Sequence, residues 1–232
     1  MFNLIRFPDG ISLLNGLFGL SSILILIFDF SPISTIKFHV AFSLILLGLL
    51  ADGLDGILAR KYGKGELGDF FEAMSDMTTM GVAPSVFIAI LVNSHSQNNS
   101  LFLIVGFLLL FYIGCAFIRL ASFHPLKNKS VFLGLPASAA TMLLLSISFL
   151  TQTNNIILSV LFLSSLLMIL PVGFPKPNKI MNAITTFIIV LTIVFGLILP
   201  FIYFVLFISV LIYIFGGQIY LYFIRKQGSS NA

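Results

Sequence analysis

The sequence predicts an all-α fold, a polytopic membrane helix bundle of about eight transmembrane helices. Of the 232 residues, 59% are hydrophobic and only 9% are charged, and a soluble domain could not bury so much apolar surface. The apolar stretches are close in length to the roughly twenty residues that a helix needs to cross a bilayer. Their residues do not alternate between apolar and polar, as the residues of transmembrane β-barrel strands do. We therefore expect one integral-membrane domain, residues 1–232.

Polar and proline-containing breaks separate the predicted spans. The first span follows Arg6 and lacks a small-residue cleavage site, so we expect it to be retained and not removed as a signal peptide. Pro171, Pro175 and Pro177 mark the break between the sixth and seventh spans, and Pro200 leaves a tight turn before the eighth. The predicted spans are residues 11–30, 37–60, 69–93, 101–122, 132–150, 155–172, 180–200 and 202–224.

The positive charges predict the orientation of these spans. With a cytoplasmic amino terminus, eleven of the twelve Lys and Arg residues face the cytoplasm and only Lys37 lies outside. Both chain termini are then cytoplasmic. The net charge of +4 fits this topology and contact with anionic lipid, so no nucleic-acid partner is expected. The single cysteine, Cys115, excludes an intramolecular disulfide framework.

One segment, residues 51–84, contains six of the eight acidic residues. Carboxylates beside apolar runs are costly to bury without partners, water or metal. On a helix, Asp52 and Asp55 share one face, and Glu72 and Asp76 share another. Two helices joined by the short polar connection between these pairs would bring all four carboxylates together.

The same segment has features that favour a metal-bound, charged ligand. Four unneutralised carboxylates would repel one another, and divalent cations held by oxygen ligands relieve that repulsion. Gly56 and Gly68 each lie one turn from an acidic residue and leave room for a large charged group to approach the backbone. The sequence therefore predicts a metal site at the cytoplasmic ends of the second and third spans.

The spacing resembles the signature of the CDP-alcohol phosphatidyltransferases, DxxDGxxAR followed by GxxxDxxxD. Two features differ from that signature, since Glu72 replaces an aspartate and the connection before Gly68 is one residue shorter. The longer side chain could compensate for the shorter connection, or it could alter the metal chemistry. GVAP at 81–84 and GLP at 134–136 are similar to the phosphatidylserine synthase branch. The matching residues are Asp52, Asp55, Gly56, Ala59, Arg60, Gly68, Glu72 and Asp76.

This resemblance implies an enzyme of phospholipid biosynthesis that depends on two Mg²⁺ or Mn²⁺ ions. Such an enzyme transfers a phosphatidyl-type group from a CDP-activated lipid, CDP-diacylglycerol or CDP-archaeol, to a small alcohol and releases CMP. L-serine is the favoured acceptor, with inositol phosphate and glycerol phosphate as alternatives. The resemblance also implies a homodimer.

The resemblance assigns roles to individual residues. Asp76, at the last acidic position, is the implied base toward the acceptor hydroxyl. The implied metal ligands are Asp52, Asp55, Glu72 and Asp76. The implied nucleotide-binding residues are Asp52, Gly56, Ala59, Arg60 and Gly68. The residues expected to bind the acceptor or a phosphate are Arg119, Lys127 and Lys129. Lys127 and Lys129 equally fit interfacial cations that set the topology.

Other interpretations remain open at this point. A small ion-coupled transporter would also use carboxylates, although the acidic motif is not repeated in the second half as in many transporters. A non-catalytic family member is the other alternative, with Glu72 as the defect. Asn15, inside the first span, is expected to line the site or to bond a neighbouring helix. Asp9 is expected to cap a helix or to lie at the membrane interface.

Overall fold

The computed structural model describes residues 4–28, 34–95, 99–126 and 131–230, and these are almost entirely helical. Two short strands, β1 (Val131–Leu133) and β2 (Gly173–Pro175), form an antiparallel pair. A π-helical segment, Met77–Val82, joins α3 to α4 without a break. The α-helices are α1 (Phe7–Ile27), α2 (Ser34–Tyr62), α3 (Gly68–Asp76), α4 (Ala83–His95), α5 (Asn99–Leu126), α6 (Ala137–Leu150), α7 (Asn154–Ile169), α8 (Lys179–Phe195) and α9 (Phe201–Ser230).

Five helical stretches of the described residues are long and apolar enough to cross a membrane. Helices α6, α7 and α8 are also apolar but have only 14, 16 and 17 residues, and at about 1.5 Å per residue they are shorter than a hydrocarbon core of about 30 Å. The all-α membrane prediction is confirmed, whereas the count of eight spans is not. The five stretches are Phe7–Ile27, Thr35–Tyr62, Gly68–Ser94, Leu103–Ser122 and Phe201–Phe223.

The third of these stretches contains the π-helical segment directly after Asp76. A π-turn leaves backbone carbonyls without their usual helical donors, and such turns are common at functional sites. Here the carbonyl oxygen of Met80 accepts hydrogen bonds from Tyr112 Oη at 3.1 Å and from Thr141 Oγ1 at 3.0 Å. The irregular segment is therefore held by α5 and α6.

Helix α1 lies very close to α2 and to the segment after α3 because glycines line the contact. A Cβ atom at Gly19 would lie 2.6 Å from Thr79 Oγ1, and one at Gly48 would lie 2.5 Å from Thr79 Cγ2. Small residues at such contacts let membrane helices approach closely. The packing brings the polar side chains of α1 against the acidic helices.

The connection between α2 and α3 is fixed by a glycine turn and by α1. Gly63 adopts a φ of +77°, a left-handed conformation that commonly ends a helix. Asp9 is 2% exposed, and its Oδ2 accepts hydrogen bonds from the backbone N–H groups of Arg6 at 2.7 Å and Gly65 at 3.1 Å. Asp9 therefore caps α1, one of its two expected positions, and also anchors the connection.

The strand pair is attached to α9. Tyr213 Oη donates to the carbonyl oxygen of Pro175 at 3.2 Å, and Gln218 Nε2 donates to that of Gly173 at 2.7 Å. Gly134 follows β1 with a φ of +82°, where a Cβ atom would lie 2.2 Å from the carbonyl oxygen of Met168. The strand pair therefore has a defined position beside α9.

We expect the substitution Gly19→Ala to destabilise the protein by about 1–3 kcal/mol, because its Cβ atom overlaps Thr79 and forces α1 outward. Gly10→Ala on the same helix is the control, since a Cβ atom there has no neighbour within 4 Å among the residues that the structure describes. The measurement is the melting temperature of each purified variant in detergent. Equal melting temperatures for the two variants would contradict the close packing of α1.

Candidate active site

Three acidic side chains converge between α2 and α3. Asp52, Glu72 and Asp76 each offer a carboxylate oxygen, and these three oxygens lie within 4.8 Å of one another. Asp52 comes from α2, while Glu72 and Asp76 come from successive turns of α3. The spacing in the sequence predicted this convergence of two helices.

Asp55, the fourth predicted carboxylate, is buried beside α1 and is not one of these three. Its Oδ2 accepts a hydrogen bond of 2.5 Å from Ser12 Oγ. Its Oδ1 is buried and has no hydrogen-bond partner within the described part of the chain. Because a buried polar atom without a partner is unfavourable, this oxygen is suited to a ligand that the protein itself does not supply.

The donor set fits a hard divalent cation. Carboxylate oxygens are the ligands that Mg²⁺ and Mn²⁺ prefer, and three of them already lie close together. The unpartnered Oδ1 of Asp55 offers a further oxygen one helical turn from Asp52. The residues present are thus compatible with the predicted metal chemistry.

Polar side chains of α1 form hydrogen bonds with the acidic residues of α2 and α3. Asn15 Nδ2 donates to Asp76 Oδ1 at 2.8 Å, and the carbonyl oxygen of Asn15 accepts from Thr79 Oγ1 at 2.8 Å. Asn15 therefore bonds a neighbouring helix, as its position in an apolar span suggested. The contact of Ser12 with Asp55 was not predicted. In the sequence, only the three-residue spacing between Ser12 and Asn15 indicates this contact, because it puts both side chains on one face of α1.

Lys64, in the connection between α2 and α3, contacts the acidic group directly. Its Nζ donates to Asp69 Oδ1 at 2.9 Å and also to Glu72 Oε2. Burial disfavours the charged ammonium, but the hydrogen bonds and charges of Asp69 and Glu72 outweigh burial and raise the pKa of Lys64 above its usual value. Lys64 therefore stays protonated at neutral pH and partly neutralises Glu72. The sequence assigned it only a role in topology.

The two motif glycines have different surroundings. A Cβ atom at Gly56 would meet only Arg60 Nη1, at 3.9 Å, so this side of α2 is open. A Cβ atom at Gly68 would lie 2.5 Å from Asp9 Oδ1 and 3.0 Å from Lys64 Cβ. Gly68 is thus required for packing against α1, whereas Gly56 leaves space beside the acidic residues.

Acidic residues line part of a cavity of about 1130 Å³. The rest of the wall comes largely from apolar side chains of α8 and α9, with contributions from α6. Such a cavity suits an amphiphilic ligand whose charged group binds near the acidic residues. The acidic lining residues are Asp52, Asp69, Glu72 and Asp76, and apolar ones include Ile184, Ile188, Phe204, Ile208 and Ile212.

Arg119 also lines this cavity and is only 6% exposed. Its Nε donates to the carbonyl oxygen of Leu135 at 3.1 Å, and its guanidinium carbon lies 5.8 Å from the centre of the Phe132 ring. Ala59 is half-buried and Arg60 is exposed. The predicted residues Lys127 and Lys129 lie outside the described residues.

Comparisons with known proteins agree with this site. The profile of the family described as CDP-alcohol phosphatidyltransferase matches residues 5–174. A CDP-diacylglycerol--serine O-phosphatidyltransferase of Methanocaldococcus jannaschii is 34% identical over 179 residues, or 76% of this chain and 78% of the relative. An enzyme of the same name from Helicobacter pylori is 29% identical over 76% of this chain and 77% of its own length. An archaetidylserine synthase of Methanothermobacter thermautotrophicus is 32% identical over 60% of this chain and 55% of the relative.

We expect Asn15→Ala to weaken Mn²⁺ binding by about 10- to 100-fold, because it removes the hydrogen bond that orients Asp76. Ser22→Ala is the control on the same helix, since the buried Ser22 hydroxyl has no hydrogen-bond partner among the described residues. Titration of Mn²⁺ followed by electron paramagnetic resonance measures the affinity of each variant. Wild-type affinity in Asn15→Ala would show that α1 does not support a metal site.

Proposed function

The chain belongs to the CDP-alcohol phosphatidyltransferase family, and we propose that it transfers a phosphatidyl-type group from a CDP-activated lipid to the hydroxyl group of L-serine, releasing CMP. The lipid is CDP-diacylglycerol or CDP-archaeol. The observation that carries this proposal is the meeting of Asp52, Glu72 and Asp76 in the wall of a largely apolar cavity. A CDP-lipid has the matching distribution of charged and apolar groups.

The acidic residues are the proposed metal site. Asp52, Asp55, Glu72 and Asp76 would hold two Mg²⁺ or Mn²⁺ ions. When bound, these ions would neutralise the pyrophosphate of the CDP-lipid and the charge that develops on the leaving CMP. The unpartnered Oδ1 of Asp55 supports its inclusion.

The nucleotide is proposed to bind along the exposed side of α2. The space beside Gly56 supports this placement, since nothing except Arg60 Nη1 lies near a Cβ atom built there. Ala59 keeps this side of the helix small, and the Arg60 guanidinium adds positive charge for a phosphate. The proposed role of Gly68 is indirect, because it lets α3 pack against Asp9.

The chemical step is a substitution at phosphorus. The serine oxygen forms a bond to the phosphorus attached to the lipid, the bond from that phosphorus to the CMP oxygen breaks, and the hydroxyl proton passes to Asp76. The hydrogen bond from Asn15 Nδ2 to Asp76 Oδ1 orients this carboxylate. Arg119 is proposed to bind the acceptor, a role supported by its burial in the cavity wall.

Serine is the proposed acceptor for two reasons. Relatives from two organisms carry the name serine O-phosphatidyltransferase, and one from a third is an archaetidylserine synthase. The sequences GVAP at 81–84 and GLP at 134–136 favour the same branch. Inositol phosphate and glycerol phosphate, each with a phosphate, would call for more clustered cations than Arg119 and Lys176, the cations that the described residues contribute to the cavity wall.

The membrane arrangement completes the proposal. We propose that α6, α7 and α8 cross the membrane together with the five longer stretches, for eight spans in all. With both termini cytoplasmic, the acidic residues face the cytoplasm, where a cytidine nucleotide is available. The distribution of Lys and Arg residues supports this orientation. The homodimer remains a prediction from the family.

The purified chain should release CMP from CDP-diacylglycerol or CDP-archaeol when L-serine and Mg²⁺ or Mn²⁺ are present, and chelation with EDTA should stop the release. The assay measures CMP and the lipid product with L-serine, inositol phosphate and glycerol phosphate as separate acceptors. Asp76→Asn should reduce turnover by at least about a hundredfold, because it removes the base. No CMP release with any acceptor would refute the enzyme proposal.

Glu72→Asp should lower turnover by about tenfold, as expected when a metal-site carboxylate is displaced. The aspartate would restore the family residue, but on the shorter connection its carboxylate would be withdrawn from Asp52 and Lys64. Glu66→Asp is the matched control, because Glu66 is exposed in the same connection and does not line the cavity. A higher turnover of Glu72→Asp would mean that the glutamate is a defect of this chain.

A further inference from the structure

A second cation, Lys176, lies in the cavity wall beside Arg119, just beyond the family match that ends at residue 174. Its Nζ is 5.6 Å from the centre of the Phe132 ring, and the Arg119 guanidinium carbon is 5.8 Å from the same centre. An aromatic ring attracts cations at such distances. Two positive charges that are far apart in the sequence therefore lie near the Phe132 ring.

Both cations are attached to ordered backbone. Lys176 directly follows β2, in which Phe174 pairs with Phe132 of β1 and Pro175 accepts a hydrogen bond from Tyr213 of α9. Arg119 is held by its hydrogen bond to the carbonyl oxygen of Leu135. The guanidinium of Arg119 is thus set largely before a ligand binds, which lowers the entropic cost of its contact, whereas for Lys176 the attachment point of the side chain is fixed.

The cavity wall therefore carries groups of opposite charge. The carboxylates of Asp52, Glu72 and Asp76 line it, and so do Arg119 and Lys176 from other elements of the chain. In the proposed function the carboxylates would hold metal ions and, through them, the pyrophosphate. An amino-acid acceptor brings one further anion, its own carboxylate, which the acidic residues repel and the two cations attract.

We propose that Lys176 and Arg119 form the subsite for the carboxylate of the acceptor amino acid, and that Lys176 determines the preference for an acceptor that carries one. This inference rests on the proposed function. Arg119, fixed and nearly buried, provides planar donors for a carboxylate. Lys176, exposed on a flexible stem, supplies the second positive charge. The acceptor hydroxyl would then be left for Asp76, the proposed base.

The test compares L-serine with L-serinamide, which keeps the hydroxyl and ammonium groups but has no carboxylate. We expect Lys176→Gln to raise the KM for L-serine by about tenfold, the loss expected for one charge-assisted contact. The KM for CDP-diacylglycerol should change less than about twofold. The same limit applies to the turnover of L-serinamide or, if L-serinamide only inhibits, to its inhibition constant against L-serine. The assay is CMP release by the full chain in detergent with Mn²⁺.

Lys179→Gln is the matched control, because it removes the same charge three residues further on, from an exposed position that does not line the cavity. Lys179→Gln should leave the KM for L-serine, the KM for CDP-diacylglycerol and the constant for L-serinamide unchanged. Equal losses for L-serine and L-serinamide, a raised KM for CDP-diacylglycerol, or the same effect in Lys179→Gln would overturn the inference.

A further arm supplies sn-glycerol 3-phosphate in place of L-serine. Wild-type turnover of that acceptor, lost in Lys176→Gln, would assign the two cations to a phosphate and overturn the carboxylate subsite. Activity of the wild type with L-serine separates these results from a failure of the proposed function. If the wild type released no CMP with any acceptor, the proposed function would fail, and the subsite with it.

Discussion

The packing of α1 against α2 and α3 is the contact on which the rest of the structure depends. Acidic side chains in so apolar a chain require compensation, and much of it comes from α1. Ser12 donates to Asp55, Asn15 donates to Asp76, and Asp9 accepts from the backbone of the α2–α3 connection. Close glycine contacts make these hydrogen bonds possible. Of these acidic residues, Asp76 lines the cavity.

The cavity combines this charged region with an apolar one, and the two regions come from different parts of the chain. Helices α2 and α3 supply the carboxylates, whereas α8 and α9 supply most of the apolar wall. The family match covers residues 5–174 and thus contains the acidic residues but neither α8 nor α9. Residues beyond the family match, among them Lys176, therefore make up more than half of the residues that line the cavity.

Much of the fold followed from simple patterns. The lengths of the apolar runs predicted helices, and each of the eight predicted spans overlaps a helical stretch, although three of these stretches are too short to count as spans by length and the predicted fifth span, residues 132–150, begins in strand β1. The acidic spacing predicted that two helices would bring carboxylates together, and Asp52, Glu72 and Asp76 do lie close together. Helical periodicity was sufficient to predict this cluster, because its acidic residues are neighbours on one helix or lie on two helices that a short connection joins.

The sequence by itself determined the class of protein, the helical character and the acidic motif, because hydrophobic length and helical spacing are local properties. Only the tertiary structure decided that Asp55 pairs with Ser12, 43 residues away, and that Phe132 brings Arg119 and Lys176 to one ring. It also decided that α8 and α9 enclose the cavity. These contacts join distant residues, and the packing of whole helices, which no local pattern encodes, sets them.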